Sequence, residues 1–183
     1  LYLNPFKGEK MFINVLEIPI EGLEIDENFS FDSFSLVEED AIFLEPVKVH
    51  IEIHKEDEKV FVNGRVVTTL SLTCSRCLSS YPFKIDSYFD LVYYPIEDFL
   101  REEEPEKELT EADFESLFYR ENRIDIDSLV LEQINLTIPM KPLCSESCKG
   151  LCPVCGTNLN EGECGCKVKN EDPRWNKLKL TNN

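Results

Sequence analysis

The chain of 183 residues carries 36 Asp plus Glu against 19 Lys plus Arg, a formal charge of −17. That length supports one sizeable core or one core with a small appendage, and 42% hydrophobic residues exclude wholesale disorder. So acidic a chain repels bare phosphate backbones and favours basic partners, and no apolar run approaches the roughly 20 residues that span a bilayer.

Residues 1–10 precede Met11 and are expected to be a flexible N-terminal extension, without the charged and apolar blocks of a signal peptide. Phe12 to Ile20 reads as a strand. Residues 21–43 mix acids with Phe29, Phe31, Phe34 and Leu36 in loose alternation. Val47, Val49, Ile51 and Ile53 alternate with Lys48, His50, Glu52 and His54, the pattern of a half-buried strand. Lys55 to Lys59 is a charged turn. Val60 to Thr73 is a Val- and Thr-rich strand, with Asn63-Gly64 as a bulge or turn signal. Cys74-Ser-Arg-Cys77 follows, and Tyr81 to Tyr94 alternates again through Phe83, Ile85, Phe89, Leu91 and Tyr93.

Glu97 to Asp127 holds 13 acids and 4 bases, a solvated acidic stretch or a docking surface for a basic partner. Thr110-Glu-Ala-Asp113 resembles a capping box for a short helix through Phe118. Asp125 or Asp127 caps a second helix, with Leu129, Val130, Gln133 and Ile134 at helical spacing, ended by Pro139 and Pro142. A last short helix is expected after Asp172-Pro-Arg-Trp175, with Trp175 and Leu178 on one face. The whole reads as an α+β protein: an antiparallel sheet or partly closed barrel with a few helices over residues 11–140, and a C-terminal zinc-binding lobe over 141–183.

Six of the eight cysteines lie between Cys144 and Cys166, where few apolar side chains are present to fold the segment. A structural metal is the natural staple for such a stretch. Four disulfides are the rival reading, but the close spacing and the absence of a secretory signal favour zinc. Cys74/Cys77 and Cys152/Cys155 are C-x-x-C pairs, a spacing that aims two sulfurs at one ion, and Gly156 follows the second pair. Short loops close at lower entropic cost, so Cys152, Cys155, Cys164 and Cys166 are assigned to one zinc site. Cys74, Cys77, Cys144 and Cys148 remain for another, which would tie the lobe to the sheet. The swapped arrangement, with Cys74/Cys77 joined by Cys164/Cys166, stays open. An all-thiolate shell with no vacant position is that of structural zinc rather than catalytic zinc. His50 and His54 fall on the polar face of their strand. His54-Lys-Glu56 matches half of a nucleobase-deaminase signature, but Thr73 and Leu151 stand where that signature needs Pro.

The motif set Leu72-Thr-Cys74-Ser-Arg-Cys77-Leu78, Ile138-Pro139, Leu143-Cys144, Cys148-Lys-Gly-Leu-Cys152-Pro-Val-Cys155-Gly-Thr-Asn-Leu159-Asn, Cys164-Gly-Cys166 and Asp172-Pro-Arg-Trp175 resembles the bacterial YceD family, the large ribosomal RNA subunit accumulation proteins. The match in element order covers roughly Met11 to the C-terminus. The resemblance implies a role in accumulation or processing of large-subunit ribosomal RNA, with no catalytic activity to carry over.

The charge adds an expected partner: a basic ribosomal protein of the large subunit, bound through the acidic surface. The alternative is an RNA-binding module that uses the basic residues around the zinc end, Arg76, Lys149, Lys167, Lys169, Arg174 and Lys177. The expectation is a cytoplasmic, non-enzymatic protein with two structural Zn2+ ions, no small-molecule substrate and no membrane contact.

Overall fold

The computed structural model describes residues 10–31, 36–38, 40–96 and 117–166. The chain divides into two compact units, one of residues 1–72 and 82–140, the other of residues 73–81 and 141–183. The 11–140 span expected as one core therefore cedes Thr73–Tyr81 to the second unit.

Along the chain, β1 (Phe12–Asn14) runs into a single 3-10 turn (Val15–Glu17), followed by β2 (Leu23–Phe29), β3 (Ile42–Phe43), β4 (Val47–Glu56), β5 (Lys59–Thr73), β6 (Ser80–Pro95), β7 (Leu117–Tyr119), β8 (Arg123–Asp125) and α1 (Ile126–Thr137). The strand expected over Phe12 to Ile20 is cut short because Asn14 caps that turn, its side chain accepting from the Leu16 N–H.

The main sheet has the order β2-β4-β5-β6-β7, and β3 also pairs with β5. It is an open sheet, not a partly closed barrel, and it is mixed: β7 runs parallel to β6, with Tyr94 opposite Phe118. That strand occupies the place expected for the end of a helix through Phe118. The Thr110–Asp113 capping box lies outside the described residues, as do the Asp172–Trp175 helix and most of the acidic stretch.

Alternation decides the inward face. Val47, Val49, Ile51 and Ile53 are each at most 3% exposed, and they face Phe29, Glu27, Ile25 and Leu23 of β2 across an antiparallel register. On β5, Val60, Val62, Val66, Leu70 and Leu72 are sealed. Each such burial contributes about 1.5–3 kcal/mol. The β4–β5 hairpin closes through Asp57 at φ 53°, as the charged Lys55–Lys59 turn predicts.

Asn63-Gly64 is neither bulge nor turn. It lies within unbroken pairing, Glu52 opposite Asn63 and Ile51 opposite Gly64. Gly64 stands there for space: a Cβ would lie 2.5 Å from Phe89 Cζ and 2.7 Å from the His50 carbonyl oxygen. The break in pairing falls instead between β3 and β4, where the buried Thr68 hydroxyl donates to the Glu45 carbonyl.

Helix α1 starts where expected. Asp125 is the N-cap, its carboxylate accepting from the Ser128 N–H at 2.9 Å, while Asp127 accepts from the Met11 N–H. Leu129, Val130, Gln133 and Ile134 form its buried stripe. No helix among the described residues is long and apolar enough to cross a membrane.

Candidate metal centres

The second unit begins with two knuckles of one design. In the first, the Leu78 N–H donates to the Cys74 carbonyl and the Cys74 N–H to the Ser79 carbonyl. In the second, Gly156 donates to Cys152 and Cys152 to Thr157, at the same sequence offsets. Both turns need a left-handed residue after the second Cys. Gly156 supplies it at φ 74°, and Leu78 adopts it at φ 59°, a conformation costing a non-glycine residue roughly 1–2 kcal/mol.

These turns present sulfurs to two further pairs. Cys74, Cys77, Cys144 and Cys148 place their four Sγ atoms within 4.8 Å of one another, and so do Cys152, Cys155, Cys164 and Cys166. These are the two groupings that loop length favours; the swapped arrangement does not form. In the first tetrad Cys74 Sγ lies 3.8 Å from Cys148 Sγ, and Cys77 Sγ lies 3.7 Å from Cys144 Sγ. A disulfide needs about 2.05 Å. Four sulfurs at about 2.3 Å around a tetrahedral zinc ion stand about 3.8 Å apart. The donor set therefore fits such an ion, and either tetrad could hold one.

The first tetrad is walled in. Cys74, Cys77 and Cys148 are 0%, 5% and 5% exposed, with Tyr81, Leu143 and Leu151 packed against them. Burial pushes the Cys74 thiol up, but the N–H groups of Cys144, Cys77 and Arg76 outweigh it and hold it down at about 6. Desolvation, followed by the neighbouring Cys148, Cys74 and Cys77 sulfurs, pushes Cys144 up to about 12. The second tetrad repeats the split: Thr157 leads in lowering Cys155 to about 6, and Cys155 leads in raising Cys166 to about 12. Four crowded thiols do not all ionise by themselves. A divalent cation would take the place of the remaining protons.

Two residues whose part the sequence does not announce hold the first centre. Arg76 sits inside the knuckle, and its Nη1 donates to the Cys148 carbonyl at 3.0 Å and the Glu146 carbonyl at 3.2 Å. Its own carbonyl accepts from the Leu151 N–H. The guanidinium expected as a partner contact is thus engaged with backbone. Asn160 donates to Cys148 Sγ at 3.3 Å and accepts from the Lys149 N–H at 2.8 Å; the Lys149 residue itself is exposed. Lys167, Lys169, Arg174 and Lys177 lie outside the described residues.

A third group, Glu24, Asp26 and His50, gathers on the outer face of the first unit's sheet. His50 Nδ1 lies 2.8 Å from Asp26 Oδ1, and that hydrogen bond raises the imidazole pKa above its ordinary value. It is an exposed ion-pair cluster of the ordinary kind.

Comparison with known proteins places the chain in a family. The chain is 31% identical over 129 residues to an uncharacterised protein of Mycobacterium tuberculosis (strain ATCC 25618 / H37Rv), covering 70% of this chain and 58% of the relative. Similarity to the large ribosomal RNA subunit accumulation protein YCED homolog 1, chloroplastic, of Arabidopsis thaliana is 27% identity over 152 residues, covering 73% of this chain and 47% of that protein. An uncharacterised Bacillus subtilis (strain 168) protein, YlbN, is 27% identical over 161 residues, covering 86% of this chain and 87% of its own length. The chain thus spans little more than half the length of the mycobacterial relatives it matches. No solved structure matches. The family model described as large ribosomal RNA subunit accumulation protein YceD matches residues 62–180, a span that includes all eight cysteines, and the chain belongs to the YceD family.

Proposed function

We propose that this chain is a non-enzymatic factor supporting accumulation of large-subunit ribosomal RNA, that two structural zinc ions stabilise it, and that it acts by binding a basic ribosomal protein. Family membership, together with the names of the Arabidopsis and Zea mays relatives, supports the ribosomal RNA role. The all-sulfur tetrads support zinc, whose structural sites use four such ligands. The formal charge of −17 is the observation that carries the choice of partner. Net repulsion between so acidic a chain and phosphate opposes non-specific RNA binding, but the same charge attracts a basic protein over a Debye length of about 8–10 Å. The engagement of Arg76 with the Cys148 and Glu146 carbonyls weakens the rival RNA-binding reading.

Two measurements test this. Elemental analysis should give two zinc ions per chain. Purified chain should retain a basic large-subunit protein at low salt and release it steeply as salt rises. Retention of naked ribosomal RNA with no ribosomal protein bound would refute the partner.

A further inference from the structure

The two centres differ in how open they are to solvent. In the first, three of four cysteines are buried under Tyr81, Leu143 and Leu151. In the second, Cys155 is exposed, Cys164 and Cys166 are half-buried, and only Cys152 is covered. The backbone around them repeats the contrast. A Cβ added at Gly156, Gly162 or Gly165 would meet nothing within 4 Å, whereas one at Gly150, beside the first centre, would meet the Arg76 carbonyl oxygen at 3.0 Å. The second centre is also local, its four ligands lying within residues 152–166. None of those ligands belongs to the first centre, although Asn160 of the same loop donates to Cys148 Sγ.

We infer that the Cys152/Cys155/Cys164/Cys166 centre is an oxidation site for small peroxides, entered at Cys155, and that the Cys74/Cys77/Cys144/Cys148 centre is spared. The inference rests on the metal-bound reading above. Exposure sets which thiolate meets the oxidant first. The Cys155 sulfur attacks one peroxide oxygen, the O–O bond breaks, and the departing hydroxide takes a proton to become water. A second thiolate of the same tetrad, already within 4.8 Å, attacks the resulting sulfenic sulfur. The S–O bond breaks and a second water leaves after protonation. Two thiolates have then lost two electrons to one peroxide, and the donor set has fallen from four to two. Cys144 is also exposed, but its 3.7 Å neighbour Cys77 would have to leave a packed position to complete a disulfide with it.

The test uses the full chain loaded with two zinc ions per chain. Hydrogen peroxide is added at low stoichiometry with a chromogenic zinc chelator present, and disulfides are mapped by peptide mass spectrometry. One zinc equivalent should leave at least about tenfold faster than the other, with the first disulfide inside residues 152–166. Release of both equivalents at one rate, or a first disulfide containing Cys74, Cys77, Cys144 or Cys148, overturns the inference and leaves the proposed function standing. A chain that binds no zinc overturns the zinc part of that proposal and this inference with it.

Discussion

Replacing Arg76 by Ala should weaken the first metal centre without touching any of its ligands. Nη1 donates to two carbonyls, at 3.0 and 3.2 Å, and both acceptors lie in the loop that carries Cys148. A hydrogen bond from a charged donor contributes about 1.5–3 kcal/mol when well buried. Here one nitrogen serves both acceptors and water can reach the exposed side chain, so the pair together is worth about 1.5 kcal/mol. Loop order and metal retention are one equilibrium in such a site, so that energy reads out as about tenfold weaker retention of one zinc equivalent. Competition against a chelator of known affinity measures it. Arg76→Lys, which keeps the charge but not the planar donor geometry, should fall between wild type and Arg76→Ala. Lys149→Ala should match wild type. If Arg76→Ala retains both equivalents as wild type does, the guanidinium does not brace the site, and a role in partner contact regains its footing.

Three further outcomes are expected. Cys74→Ser should halve the zinc content and lower the thermal midpoint of the second unit; unchanged metal content would remove Cys74 from the ligand set. Gly64→Ala should destabilise the sheet by about 1–3 kcal/mol in urea, because the added methyl meets Phe89 and the His50 carbonyl. Asp125→Ala should cost about 1 kcal/mol through loss of the α1 cap. Partial burial pushes the Asp125 carboxyl up, but the Ser128 N–H and Lys10 outweigh it and set its pKa below the ordinary carboxylate value. Its stabilisation is therefore fully present above the unfolded carboxylate pKa and is lost as pH falls through the depressed folded one. The variant should thus differ from wild type at neutral pH and converge with it in acid.

What could be read from the sequence was whatever repeats at a fixed period or spacing. Val47 to His54 alternates cleanly because one face is sealed and the other wet, and strand β4 is there. Asp125 and Asp127 before a 3.6-period stripe mark the helix start to within two residues, and Asp125 is the cap. Loop length favours the cysteine groupings that form but leaves the swapped arrangement open until the sulfurs are placed. The misses come from residues whose meaning is set by distant neighbours. Asn63-Gly64 looks like a turn until Phe89 and His50 are known to crowd it. The tight turn between β7 and β8 uses Glu121 and Asn122 at φ 52° and 55°, and Glu is not a turn-forming residue that a local rule would pick. Parallel pairing of β7 with β6 depends on a long connection that no local pattern encodes. Arg76 looked like a surface cation because a guanidinium bound to carbonyls has no sequence signature.

The separation of Cys74 and Cys77 from Cys144 and Cys148 along the chain fixes a temporal order. During synthesis at about 5–20 residues per second, the first knuckle leaves the ribosome seconds before the other two cysteines of its tetrad exist. It must wait as a reduced pair while the strands and helix between them emerge. Cys152 to Cys166, by contrast, becomes complete within a moment of its own translation. The centre that is better shielded in the finished protein is thus half-built for longest during its making. A fragment that begins at residue 141 carries the later-made thiols of that centre but never the earlier ones.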